Sequence, residues 1–188
     1  MPQAGSSDRW MWLVVLGATA LVVGLAVLKG DHGDGVPKNA AGASASAPRV
    51  SLPLLDGKGS ASPQPGKVTV VDFWATWCGP CKVSMPRVQQ LYTEYKPRGV
   101  DLYSVDTDEP GPDREPQVRE FLLQRGLTFP VVVDDEAKTG SAAFAVDSLP
   151  TMFLLDKGGR IVWTHVGALT SSYETDLRRA IDTALAQN

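Results

Sequence analysis

The chain has 188 residues, with 18 Lys and Arg against 21 Asp and Glu, a formal net charge of −3 and a pI near 5.3. That balance provides no basis for gripping nucleic acid, which needs a concentrated positive face. There are only two cysteines, so no disulfide framework holds the chain together, and 43% hydrophobic residues are enough for an ordinary core. The two histidines, His32 and His165, are isolated, so a zinc site would lack the close set of about four ligands it needs; nothing calls for a metal or another cofactor.

In chain order, residues 1–9 read as a short tail. Trp10 to Leu28 is an uncharged, almost wholly apolar run of 19 residues. As a helix it would span about 28 Å at 1.5 Å per residue, close to a bilayer core of ~30 Å. Trp10 and Trp12 suit the membrane interface and Arg9 its near flank, so residues 10–28 read as a transmembrane anchor. The competing reading is a cleaved signal peptide, but its apolar core is usually only ~7 to 15 residues long and no A-x-A site follows directly. The lack of a cysteine after the run excludes a lipoprotein anchor. Residues 29–49, rich in Gly, Ala and Ser and without large apolar side chains, read as a flexible tether spanning on the order of 25 Å. Residues 50–188 read as one globular domain.

Within that domain Val68 to Ala75 is a run of apolar and β-branched residues broken by Asp72, and predicts a buried strand. An ionised carboxylate there is costly without a partner, so Asp72 must be half-exposed or have its pKa raised. Trp77-Cys78-Gly79-Pro80-Cys81 follows at once, and the spacing of Met85, Val88, Leu91, Tyr92 and Tyr95 predicts a helix after it. If Cys78 sits at that helix's N-terminus, free N–H groups and the helix dipole favour its thiolate. Cys81, one turn on, can then close a disulfide, which makes Cys78 the attacking and Cys81 the resolving thiol. The same spacing would also serve a zinc half-site or a structural disulfide; the first lacks partner ligands, and the second would close too short a loop to stabilise much.

Forty-three residues separate Asp106 from Pro150. In that interval Asp108 to Glu115 reads as a solvated loop. Val118, Phe121 and Leu122 predict a helix capped by Gly126, and Phe129 to Val133 a strand. Leu149-Pro150-Thr151 opens a further strand, Met152 to Leu155, turned at Asp156–Gly159. Another strand, Ile161 to His165, with His165 exposed, leads into Val166-Gly167-Ala168-Leu169. Ser171 and Glu174 form a candidate capping box, and Leu177, Ala180, Ile181, Ala184 and Leu185 share one face of a closing helix. The order of elements fits an α/β fold with a mixed sheet flanked by helices.

The stretch Val71-Asp72-Phe73-Trp74-Ala75-Thr76-Trp77-Cys78-Gly79-Pro80-Cys81-Lys82 resembles the active-site segment of the thioredoxin superfamily. The long interval before Pro150 resembles the helix–strand insertion of its TlpA/ResA-like branch, and Asp56-Gly57 ahead of Gly66-Lys67-Val68 resembles that branch's opening hairpin. Two residues depart from the branch: Asp72, where asparagine is frequent, and Ser84, where glutamate is common. The resemblance implies a thioredoxin-like fold in which Pro150 is cis and faces Cys78. It leaves the Leu149 backbone free to pair with substrate, and makes Trp77, Gly79, Pro80, Gly167 and Ala168 substrate contacts. It implies proton transfer by Asp72 beneath the dithiol, although Leu102 stands where the usual partner lysine would fall. Pro86 would kink the active-site helix.

These features together predict a thiol-disulfide oxidoreductase with a single-pass anchor in a bacterial cytoplasmic membrane and its catalytic domain on the extracytoplasmic side. The resemblance implies a monomer that reduces protein disulfides, with cytochrome c maturation as one outlet, and that is recharged by a membrane-embedded electron donor. A disulfide-forming oxidase would share every motif. A peroxidase of the peroxiredoxin type would need its reactive cysteine in a different sequence setting, and a tethered peptide-binding module would use the same groove without electron transfer.

Overall fold

The computed structural model describes residues 45–187. The apolar run 10–28, the tail and most of the tether lie outside the described residues, among which no helix is long and apolar enough to cross a membrane. The last residues assigned to the tether are laid onto the domain: Ala47 N–H donates to Gly159 and Ile161 N–H to Ala45.

The first strands of the described residues form a small antiparallel hairpin, β1 (Leu52–Pro53) and β2 (Ser60–Ala61), whose turn includes Asp56-Gly57. The principal elements follow as β3 (Val68–Trp74), α1 (Gly79–Tyr95), β4 (Val100–Asp106), α2 (Arg114–Gln124), β5 (Val131–Val133), α3 (Thr139–Ala143), β6 (Thr151–Leu155), β7 (Ile161–Val166) and α4 (Ser171–Ala186). Five strands form one sheet in the order β5-β4-β3-β6-β7. The pairs β3–β4 and β4–β5 are parallel, whereas β6 is antiparallel to both β3 and β7. Parallel neighbours need long crossovers, which α1 and α2 supply. The loops after β3, β4, β5 and β7 and the loop before β6 therefore all open at one end of the sheet.

β3 is central and buried at every residue, as its near-continuous apolar run predicts. Its side chains alternate between two cores. Val68, Val70 and Trp74 face a core built with Met85, Val88 and Leu91 of α1, Val118 and Phe121 of α2, and Leu177 and Ile181 of α4. Val71 and Phe73 face a second core with Val50, Leu52, Val105, Phe144 and Phe153. Phe73, Phe144 and Phe153 meet there with ring centroids 5.2 to 6.1 Å apart. The expected mixed sheet with an inserted helix and strand is present.

Several local expectations change. The strand foreseen from Phe129 pairs only over Val131–Val133, since Pro130 has no N–H to give a ladder. The short helix α3 has no strong sequence signal. Its N-terminus is held by the Asp134 carboxylate, which accepts from Gly140 N–H at 2.7 Å and Ser141 N–H at 3.0 Å. The capping box of the closing helix is absent: Thr170 is the N-cap, Ser171 Oγ accepts from Arg87, and Glu174 binds Arg87 and Arg178. Two guanidinium groups attract that carboxylate more strongly than one backbone N–H could.

Gly126 ends α2 as expected. It adopts φ +63°, Leu127 N–H donates to Leu122 and Gly126 N–H to Leu123, the paired bonds of a Schellman motif. Gly126→Ala should lower stability by about 1 kcal/mol, because a Cβ disfavours the left-handed region; urea unfolding midpoints of parent and variant check this.

Candidate active site

Cys78 is the N-cap of α1, with extended backbone at φ −72° and ψ 110°, and its sulfur accepts from Cys81 N–H at 3.2 Å. Gly79 and Pro80 form the first turn, where proline's missing donor costs nothing. Cys78 and Cys81 are joined as a disulfide with Cα atoms 5.2 Å apart. Both are buried, at 4% and 1% exposure, while the adjoining Trp77 is 67% exposed. Trp77, Cys78, Gly79 and Pro80 line one wall of an open groove of about 530 Å³, faced by Leu149, Asp147 and Lys138.

The Leu149–Pro150 bond is cis, as the resemblance implies. Among the described residues no hydrogen bond engages the Leu149 backbone, whereas the Pro150 carbonyl accepts from Gly167 N–H at 2.8 Å. Gly167 is thereby tied to the proline, but neither it nor Ala168 lines the groove that holds Trp77 and Cys78. Pro150 is buried rather than exposed to that groove. The site therefore assembles Trp77, Cys78, Gly79, Pro80, Cys81 and Leu149 directly, with Pro150, Gly167 and Ala168 beside them.

Asp72 is 2% exposed in β3, opposite Ser104 of β4 and Met152 of β6. By alternation it shares the face of Val70 and Trp74, the face whose core contains Cys81. Its Oδ1 has no hydrogen-bond partner among the described residues, and burial pushes the carboxyl from 3.8 up to about 7. A group so poised can hold or release a proton near neutral pH. Leu102 lies opposite Val70 and brings no cation to it.

Sequence reasoning missed three contributors. Ser84 is buried, donates from Oγ to the Pro80 carbonyl and accepts from Leu169 N–H at 2.8 Å, which ties the turn after β7 to the first turn of α1. Asp108, expected in a solvated loop, is buried at 5% exposure and its carboxylate accepts from Thr76. Arg114, also expected in that loop, begins α2; its Nε donates to Asp106 Oδ2 at 2.7 Å and its Nη1 to the Asp134 carbonyl. Burial pushes Asp106 up to about 7, although Arg114 pulls the other way. The available signal was Arg114, Gln117, Val118 and Phe121 at helical spacing behind acids that end an apolar strand. His165 is half-buried rather than exposed, with Nε2 3.1 Å from the Ala168 carbonyl and its ring against Tyr173.

A central strand ending in a helix-capping C-x-x-C, with a cis-proline strand alongside, defines a thioredoxin-like protein. The chain belongs to the Redoxin family, whose model matches residues 41–181, and within the thioredoxin superfamily it is TlpA/ResA-like. The thiol-disulfide oxidoreductase ResA of Halalkalibacterium halodurans is 32% identical over 162 residues, covering 86% of this chain and 88% of the relative. The same-named protein of Bacillus thuringiensis is 40% identical over 105 residues, 56% of this chain but only 58% of the relative's length. A crystal structure of a thiol:disulfide interchange protein of the thioredoxin family from Chlorobium tepidum matches with a TM-score of 0.63 and 25% identity, over 78% of this chain and 100% of that one.

The raised pKa of Asp72 makes stability depend on pH. In the unfolded chain the carboxyl ionises near 3.8, whereas the folded protein keeps its proton up to about 7. The folded state therefore binds more protons in that window. This contribution to stability is full below about pH 4, falls as pH rises and levels off above about 7. Asp72→Asn should remove it. Relative to the parent, the variant should gain stability as pH rises from about 4 to 8, by up to about 4 kcal/mol at ~1.4 kcal/mol per unit; urea titrations across that range would show a flat difference if Asp72 ionised normally.

Proposed function

We propose that this chain is a thiol-disulfide oxidoreductase that reduces protein disulfides. In this reading it is tethered by residues 10–28 to a bacterial cytoplasmic membrane with its redox domain on the extracytoplasmic side. The observation that carries the chemistry is Cys78 at the N-cap of α1, disulfide-bonded to Cys81 and opening on a groove beside exposed Trp77. The unpaired N–H groups at that helix end stabilise negative charge on the Cys78 sulfur and so favour its thiolate.

In the reduced protein the Cys78 thiolate attacks one sulfur of a substrate disulfide. A Cys78–substrate bond forms, the substrate disulfide breaks, and the first substrate sulfur leaves as a thiolate. The Cys81 thiol then loses its proton and attacks Cys78 Sγ, which releases the second substrate sulfur and closes the Cys78–Cys81 disulfide. Two electrons pass to the substrate, and the protons given up by the two protein thiols end on the two leaving thiolates. Asp72, on the Cys81 side of β3 with its carboxyl poised near neutrality, accepts the Cys81 proton. The open groove accepts an extended peptide that can pair with the unengaged Leu149 backbone.

The reducing direction is supported by Gly79-Pro80 between the cysteines, a pair like that of reducing thioredoxins. The extracytoplasmic site and a membrane-embedded electron donor are supported by the apolar run 10–28 and by the likeness to ResA proteins. Cytochrome c maturation is one process that would use such a reductant.

Cys81→Ser should accumulate a mixed disulfide through Cys78 in cells, visible as a higher-mass band that dithiothreitol removes, and Cys78→Ser should not. Capture by Cys78→Ser instead would reverse the two roles. Equilibration with glutathione should give a reduction potential more negative than the glutathione couple; a clearly more positive one would make the protein an oxidase.

A further inference from the structure

We propose that Asp108 is a positioning residue for the redox turn: from the loop after β4 its carboxylate grips Thr76, two residues before Cys78, and sets the place from which Cys78 reacts. The inference rests on the reading of Cys78 as the attacking thiol.

Cys78 N–H donates to the Ala75 carbonyl at 3.2 Å, so Ala75 to Cys78 is a closed turn with Thr76 and Trp77 at its centre. Trp77 projects into solvent, so the turn is anchored through Thr76. Thr76 N–H lies 3.2 and 3.1 Å from the two carboxylate oxygens of Asp108, and Thr76 Oγ1 donates to Asp108 Oδ1 at 3.1 Å. Gln117 of α2 donates to Thr76 Oγ1 at 2.8 Å from the other side. One residue before Asp108, Thr107 donates from both N–H and Oγ1 to the carbonyl of Trp74, two residues before Thr76, at 2.8 and 3.0 Å.

The loop that grips is itself held. Asp108 N–H donates to Asp106 Oδ1, Asp106 binds Arg114, and Arg114 reaches the Asp134 carbonyl after β5. Hydrogen bonds from N–H and O–H groups to a carboxylate are among the stronger ones, and a buried carboxylate is costly unless so engaged. The inserted helix thus reaches the dithiol through a short chain, Gln117 and Asp108 to Thr76 to Cys78. A displacement of about 1 Å at a reacting atom can cost about 100-fold in rate.

The test measures the oxidation of the reduced full-length chain by glutathione disulfide, followed by tryptophan fluorescence. Cys78 displaces one glutathione thiolate and Cys81 the second, so the protein loses the two electrons that glutathione disulfide gains. Asp108→Ala should slow the second-order step about tenfold. Asp108→Asn, which keeps an oxygen for Thr76 N–H, should recover to within about threefold of the parent. Gly126→Ala, destabilised at the far end of α2, should react like the parent. Should Asp108→Ala fail to fold, Thr76→Val removes only the hydroxyl bonds and should react about threefold more slowly. A folded Asp108→Ala as fast as the parent, an Asp108→Asn as slow as the alanine variant, or an unslowed Thr76→Val overturns the proposal. A parent that reacts through Cys81, or not at all, overturns the redox reading itself whatever Asp108 does.

Discussion

The site depends on one topological constraint: β3 lies between a parallel neighbour, β4, and an antiparallel one, β6. Parallel pairing puts the ends of β3 and β4 at the same edge of the sheet, and antiparallel pairing brings the beginning of β6 to that edge. Cys78 after β3, Asp108 after β4, Asp134 after β5, Pro150 before β6 and Gly167 after β7 are therefore neighbours in space although 88 residues separate the first from the last. Open α/β sheets place their functional crevices at the carboxyl ends of strands for the same reason.

Burial then determines the chemistry available at that edge. Val68 to Trp74 is covered on both faces, so any polar side chain in it must be bonded or neutral. Trp74 meets the requirement through its indole N–H, which donates to Ser104 Oγ at 2.7 Å. Asp72 meets it through burial itself, which raises its carboxyl to about 7 so that the neutral form is held below that pH. The thiol pair sits at the boundary of this buried layer, with the apolar core behind Cys81 and the groove in front of Cys78.

The insertion takes part in this arrangement. Phe121 of α2 stacks on Trp74 with ring centroids 5.4 Å apart, and Gln117, one turn earlier, reaches Thr76. Arg114 at the start of α2 joins the ends of β4 and β5. One face of a single helix thus packs against the end of β3 and braces the turn that carries the cysteines.

The elements with strong local signals were legible: the buried strand, the helix after the cysteines and Gly126 at a helix end, while the cis-proline came only through the family resemblance. Their signals are periodicity, steric preference and a motif, all of which act within a few residues. Asp108 and Glu174 were not legible, because an acid in a proline-rich stretch or at a helix start reads as solvated or capping unless its partner is known. Those partners, Thr76 for Asp108 and Arg87 for Glu174, lie 32 and 87 residues away.

By itself the sequence determined which residues could do chemistry, since two thiols at helical spacing behind a buried strand limit the possibilities to a few. Tertiary structure alone decided what surrounds them: that Asp72 Oδ1 has no partner among the described residues, that Asp108 turns inward to hold Thr76, and that Ser84 ties two loops together. The physical reason is that thiol spacing is a local covalent property. Burial and hydrogen-bond partnership, by contrast, are set by which distant strands the sheet brings side by side.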